Sequence, residues 1–199
     1  MDYSKYKQSR DLTWQILINH NITELPVKVS QICQAMRIRV ISYSAGCKRL
    51  TNFEDYALNN DGFTFNNIIF YNDKCNVGRQ RFTVAHELGH CLLHGGNGLY
   101  NREPNEQDNP IEQEANVFAS RLLAPACVLW GLGVTNSKQI SDLCNISMQS
   151  ADFRMERMNE LYQREEDFIQ KRGKSCFLLS PLERQVYNQF KTYIQNNKL

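Results

Sequence analysis

The feature that most constrains this chain is a short run from His86 to His90 that reads His-Glu-Leu-Gly-His. On an α-helix, residues four positions apart are separated by about 6 Å of rise and about 40° of rotation. Both imidazoles can therefore reach one point, and Glu87 lies to one side of it. This pattern is typical of a helix whose histidines bind a metal ion while the glutamate acts as general base. A fold that contains it must bring a third ligand to the same point from another element.

The residues around the motif predict an amphipathic helix. On a helical wheel, Thr83, Glu87, His90 and His94 lie on the same side as His86. This side carries no lysine or arginine, which an ordinary solvated face would usually carry. The opposite side is apolar and consists of Val84, Ala85, Leu88, Cys91 and Leu92. We therefore predict that the polar side faces a metal site.

A second helix is expected to supply the third ligand. Asn109 is a suitable N-cap, Pro110 suits the first helical position, and Pro125 ends the helix. On its wheel, Glu112 lies within the apolar arc, whereas Glu114 projects to the solvated side. A carboxylate on a buried face is costly unless it is paired or bound to metal. We therefore predict Glu112 as the ligand.

Other polar residues are candidates for supporting roles. Asn116 lies one turn beyond the predicted third ligand and can orient one of the histidines through a hydrogen bond. His94 lies about 12 Å along the helix axis from His86, too far to share one ion, and is expected to be a pocket or surface residue. The candidates for hydrogen-bonding an oxyanion are Tyr56, His94 and Tyr100.

The segments from Arg81 to His90 and from Glu112 to Pro125 resemble those of the ImmA/IrrE-type metallopeptidases. That group is similar to the gluzincins, which implies one Zn²⁺ per chain, bound by the two motif histidines and the downstream glutamate. Gluzincins often carry Asp four residues after that glutamate, where this chain has Asn116. The resemblance also implies a soluble bacterial or phage-related protease that cuts a helix-turn-helix repressor, often encoded beside it on a mobile element or prophage.

Composition narrows the class of protein. The chain has 199 residues, of which 42% are hydrophobic and 22% charged, as in an ordinary globular protein. Its net charge of +2 is too small to indicate nucleic-acid binding by itself. We expect no membrane span, because no apolar run approaches the necessary length. The polar N-terminus and seven scattered cysteines without a C-x-x-C pair predict a cytoplasmic protein with reduced thiols.

The order of elements predicts an α+β fold. A small antiparallel sheet is expected to pack against the motif helix and the second ligand-bearing helix. Two helices, near residues 4–18 and 25–36, should precede it. The predicted strands are Arg37–Tyr43, Tyr56–Leu58, Phe63–Phe65 and Ile68–Tyr71. Residues 1–130 would form a zincin-like metallopeptidase domain, and residues 131–199 a helical C-terminal region.

The C-terminal region admits two interpretations. Helices from Ser137 to Cys144 and from Ser147 to about Gln170, joined by a short turn, resemble a helix-turn-helix. The apolar spacing through Ile140 and Met155 is equally well explained by a packed helical core. Ser180 to Glu183 is a capping box that opens a last helix, expected to reach about residue 196.

Two hypotheses for function follow. The first is a zinc-dependent endopeptidase in which His86, His90 and Glu112 bind the metal and Glu87 moves the proton. Its partner would be a protein substrate, namely a helix-turn-helix repressor. The alternative is a non-proteolytic regulator that binds DNA or a repressor through its C-terminal helices, with a structural or vestigial metal site.

Overall fold

The structure is a computed structural model that describes residues 6–46, 57, 60–95, 109–173 and 180–199. Contacts between residues divide the chain into two compact units. The first unit contains Met1–Thr13 and Lys28–Leu123, and the second contains Trp14–Val27 and Ala124–Leu199. The first helix, α1 (Lys7–Asn19), therefore contributes residues to both units.

The first unit contains a three-stranded sheet in the order β1-β3-β2. Its strands are β1 (Arg39–Ser42), β2 (Gly62–Phe65) and β3 (Ile68–Tyr71). Asn66 and Asn67 join β2 to β3 with positive φ angles of 46° and 62°. A two-residue turn of this kind matches the twist of antiparallel strands, and asparagine adopts its left-handed conformation more readily than most residues do. A short helix, α3 (Tyr43–Gly46), follows β1 directly.

The predicted α+β class is confirmed, but the sheet is mixed and not wholly antiparallel. β2 pairs antiparallel with β3, whereas β1 pairs parallel with β3, with Arg39 opposite Ile68. The reason is the length of the connections. The two-residue turn allows only antiparallel pairing, while the long segment between β1 and β3 can cross over and return in the same direction. Ala57, expected in a strand, is helical, and its neighbours Tyr56 and Leu58 lie outside the described residues.

The motif helix occupies the centre of the first unit. This helix, α4 (Val77–Leu93), packs against the sheet, against α2 (Val29–Ala35) and most extensively against α5 (Pro110–Leu123). Every residue of α4 from Thr83 to His90 is buried. The polar side was predicted to face a metal site, and in the structure α5 covers this side while the sheet packs on another side of α4.

Small residues allow α4 and α5 to approach closely. A Cβ at Gly89 would lie 3.0 Å from Phe118 Cδ1 and 3.3 Å from Ala115 Cα. The predicted cap of α5 is present, since Asn109 Oδ1 accepts a hydrogen bond from Ile111 N at 2.9 Å. The side chain of Asn109 thus sets the start of α5, and small residues set its close contact with α4.

The second unit is helical, as predicted for the C-terminal region. Its remaining helices are α6 (Ala126–Leu132), α7 (Ser137–Cys144), α8 (Met148–Arg172), α9 (Pro181–Gln189) and α10 (Lys191–Asn196). The predicted capping box at Ser180 and Glu183 opens α9. The expected last helix is divided into α9 and α10, and Phe190, which separates them, is fully buried.

The turn between α7 and α8 contributes to the core of the second unit. Asn145 ends α7 in the left-handed conformation, with φ 51°. Among the apolar residues that suggested a helical core, Leu143 is half-buried, and the others are buried, namely Ile140, Ile146, Met155 and Met158. Their spacing is therefore explained by packing.

One stretch, Pro110–Leu132, has the length and hydropathy of a membrane span, contrary to the expectation that no run would. However, α5 ends at Leu123, and Pro125 begins a separate helix. In addition, 72% of the apolar window is buried inside the protein. High hydropathy together with burial inside the protein is ordinary for core helices, and this stretch consists of two of them.

We expect Phe118→Ala to destabilise the protein by about 3–5 kcal/mol, because Phe118 is fully buried and its removal leaves a cavity between α4 and α5. Phe153 is 65% exposed on α8 and provides a matched control. Phe153→Ala should change the free energy of unfolding by less than about 0.5 kcal/mol. Chemical denaturation of both variants measures the difference, and equal losses would contradict the packing described here.

Candidate metal centre

Three potential metal ligands converge from two helices. His86 and His90 are on α4, and Glu112 is on the first turn of α5. The two Nε2 atoms of the histidines lie 3.0 Å apart. Glu112 Oε2 lies 3.2 Å from His86 Nε2, and Glu112 Oε1 lies 3.2 Å from His90 Nε2. The ligand atoms of these three side chains all lie within 4.8 Å of one another.

The spacing of these atoms fits a tetrahedral metal ion. Two ligands at about 2.0–2.1 Å from such an ion are about 3.3 Å apart, close to the separations observed. Two imidazole nitrogens and one carboxylate form a donor set found in catalytic zinc sites, where a fourth position remains for water or substrate. His86 and His90 are buried, whereas the Glu112 side chain is 19% exposed. The group is therefore capable of binding a metal ion at a partly accessible point.

Asn116 sets the orientation of one histidine. Its Oδ1 lies 2.9 Å from His86 Nδ1. Because an amide oxygen can only accept, His86 must carry its proton on Nδ1, which leaves the lone pair of Nε2 directed at the other ligands. A ligand histidine usually has such a partner. Asparagine supplies the hydrogen bond without the negative charge that an aspartate would bring.

Glu87 is held apart from the three ligands, on the side of the sheet. Thr64 Oγ1 on β2 donates a hydrogen bond of 3.0 Å to Glu87 Oε2, and both side chains are buried. Gly62, two residues earlier on β2, leaves room for this contact. A Cβ there would lie 2.3 Å from Thr83 Cγ2 and 3.4 Å from Glu87 Cγ. The close approach of β2 to α4 thus orients the carboxylate.

Thr64 was missed by the sequence analysis, although a signal was present. It is the polar residue between Phe63 and Phe65, which belong to an apolar cluster with Phe70. Alternation along a strand places Thr64 on the opposite face, the same face as Gly62. The alternation could not reveal that this face packs on α4, because the local sequence of a strand does not indicate which distant helix it contacts.

His94 and Cys91 lie next to the ligands without joining them. His94 Nε2 is 3.6 Å from Glu114 Oε2, so the glutamate expected on a solvated side instead faces a histidine of α4. Burial and the neighbouring His90 lower the pKa of His94. Burial raises the pKa of the Cys91 thiol, whose Sγ lies 3.8 Å from Thr64 Oγ1. Tyr56 and Tyr100, the other oxyanion candidates, lie outside the described residues.

The cysteines described in the structure are free thiols. Cys33, Cys127 and Cys144 are buried. Burial raises the pKa of Cys33 to about 12 and that of Cys127 further. Such thiols stay protonated at neutral pH and act as small packing residues.

Comparison with known proteins agrees with this geometry. Residues 33–156 match the sequence model of the IrrE N-terminal-like domain, Peptidase M78. The chain is also similar to the radiation response metalloprotease IrrE of Deinococcus radiodurans, with 37% identity over 68 residues. That alignment covers 32% of this chain and 21% of the relative, so the chain matches about a fifth of the relative's length.

We expect Glu112→Gln to weaken Zn²⁺ binding by at least about 100-fold, because it removes the charged ligand from the group. Glu114 is two residues away on the same helix and provides a matched control. Glu114→Gln should leave the affinity within about threefold of the original, since Glu114 contacts His94 and not the cluster. Competition with a chromogenic chelator measures both affinities, and equal weakening would contradict the assignment of Glu112.

Proposed function

We propose, from the premise that this chain belongs to the IrrE N-terminal-like (Peptidase M78) family of metalloproteases, that it is a zinc-dependent endopeptidase. The observation that carries the proposal is the convergence of His86, His90 and Glu112, with Glu87 held beside them by Thr64. Binding of metal alone would not require a buried, oriented carboxylate that is not itself a ligand. Hydrolysis does, because a proton must leave the attacking water.

Zn²⁺ is the ion that we propose, with one per chain. Two imidazoles and one carboxylate in tetrahedral arrangement suit it, whereas Mg²⁺ and Ca²⁺ prefer six or more oxygen ligands. When bound, zinc supplies Lewis acidity that polarises a carbonyl and makes water acidic near neutral pH. His86, His90 and Glu112 would hold the ion, and Asn116 would keep His86 in the tautomer that this needs.

Glu87 is proposed as the general base. Thr64 donates to Oε2 and fixes the plane of the carboxylate. The carboxylate of Glu87 would take the proton from the attacking water and deliver it to the nitrogen of the leaving amine. The surrounding buried segment of α4 excludes bulk water, so the proton passes between the reacting groups.

The substrate that we propose is a helix-turn-helix repressor, encoded near this chain on a mobile element or prophage. The support is the family resemblance, since the metal centre itself acts on any peptide bond that reaches it. A cytoplasmic location belongs to the same proposal, because such a repressor acts there.

Direct DNA binding by the C-terminal helices is the alternative, and the charge of α8 weighs against it. Asp152, Glu156 and Glu160 are exposed along the first half of this helix, where a recognition helix would meet phosphates. Exposed carboxylates repel the DNA backbone, which binding proteins neutralise with lysine and arginine. We therefore favour the peptidase.

Glu87→Gln should abolish proteolysis and keep the metal, because glutamine preserves the shape of the side chain but cannot take up the proton. The measurement is cleavage of the co-expressed helix-turn-helix protein from the neighbouring gene, followed by mass spectrometry, with zinc content determined in parallel. Glu114→Gln is the control that should still cleave. Undiminished cleavage by Glu87→Gln would exclude the proposed mechanism.

Thr64→Val should lower kcat by about tenfold with little change in KM, because it removes the donor that orients Glu87 without disturbing substrate contacts. Thr64→Ser keeps the hydroxyl and should retain most of the activity. Steady-state cleavage rates give the two constants, and Zn²⁺ affinity and melting temperature should be similar in both variants. If serine fails to restore kcat, Thr64 acts through packing alone.

A further inference from the structure

A groove lies against the first strand of the sheet, away from the metal centre. It has a volume of about 780 Å³ and is lined by residues of α2, the segment that follows it, β1 and α3, together with Tyr71. The sheet order places β1 at the edge opposite β2, which carries Thr64. Two inter-strand spacings, about 10 Å in all, separate these edges. The groove is therefore distinct from the candidate catalytic site.

The main chain of β1 is open towards this groove. Arg39 N donates to Asn67 O at 3.2 Å, so Arg39 directs its main-chain groups to β3. Alternate residues of a parallel strand bond to the same neighbour, which directs the N–H groups of Val40 and Ser42 to the other side. Among the described residues, no strand pairs with that side. An open strand edge is a template for another polypeptide strand.

The groove carries positive charge. Arg37 and Arg39 both line it, and both are exposed. Neither side chain forms an ion pair with another described residue, and no acidic residue is among the described residues that line the groove. Ile38, Val40 and Ile41 add apolar surface between the arginines and the helices. The lining thus combines main-chain donors, two cations and a floor that suits aliphatic side chains.

We propose that this groove binds an extended, acidic protein segment, which adds to β1 as a further strand and places its carboxylates against Arg37 and Arg39. The open N–H groups select a polypeptide over a nucleic acid, because only a polypeptide offers carbonyl oxygens at strand spacing. The two arginines select acidic over basic sequences. This docking function goes beyond the proposed peptidase activity and does not require the metal.

The test uses the full chain with Glu87→Gln, so that the probe is not cut. Two fluorescein-labelled peptides, one of alternating glutamate and valine and one of alternating lysine and valine, are titrated by fluorescence anisotropy. The acidic peptide should bind at least about tenfold more tightly, with a preference that shrinks at about 0.5 M salt. Equal binding of the two peptides, or none, would overturn the proposal.

Charge reversal locates the site. Arg37→Glu with Arg39→Glu should weaken binding of the acidic peptide by at least about tenfold and remove its advantage over the basic one. Arg164→Glu with Lys171→Glu makes the same change in net charge at exposed positions of α8 and should leave the affinity unchanged. If the two double variants behave alike, the effect is one of net charge and the groove is not the site.

Val40→Pro tests the main-chain pairing. Proline removes an N–H that faces the open edge and takes no part in the bond to β3, so the fold should be retained, as a melting curve would check. Affinity for the acidic peptide should fall at least about tenfold, and an unchanged affinity in a folded variant would contradict strand addition. If this variant does not fold, the charge-reversal pair decides. If the acidic peptide binds but the unaltered chain cleaves no repressor, the docking proposal stands and the proposed peptidase function is contradicted.

Discussion

The convergence of three electron-pair donors in a buried place is the constraint on which the rest of the first unit depends. His86 Nε2, His90 Nε2 and the carboxylate of Glu112 lie 3.0–3.2 Å from one another. Lone pairs that face one another at this distance repel unless a cation or a proton lies between them, and burial removes the water that would weaken the repulsion. The arrangement is therefore stable as a site for a cation, and the fold keeps its donors oriented for one.

Several features of the fold follow from the need to bring these donors together. Gly89 and Ala115 let α4 and α5 approach at the level of the ligands. A Cβ at Gly89 would meet Phe118 and Ala115 at 3.0–3.3 Å, so these neighbours would have to shift. On the opposite side of α4, Gly62 lets β2 approach in the same way, and Thr64 then reaches Glu87. Small residues thus set the distance between α4 and α5, which brings the ligands together, and the distance between α4 and β2, which brings Thr64 to Glu87.

Local patterns could be predicted, whereas long-range pairings could not. Helical spacing within the motif and the apolar arc around Glu112 were enough to select that glutamate over Glu114, because both depend on positions within one helix. The parallel pairing of β1 with β3 was missed, since strand direction depends on a connection that has no sequence signature. The contact between Thr64 and Glu87 was missed for the same reason, as the two residues belong to different elements.

The sequence by itself determined the chemistry of the centre: two histidines one helical turn apart, a glutamate between them, and a capped helix that carries a carboxylate on its apolar arc. These follow from helix periodicity and side-chain type, which are local properties. Only the tertiary structure decided that α4 is covered on its polar side and that Thr64 orients Glu87. It also decided that, among the described residues, no strand pairs with the outer edge of β1, where Arg37 and Arg39 line a groove. These features arise where separate elements meet, and the energy of such contacts depends on packing in three dimensions that no single segment encodes.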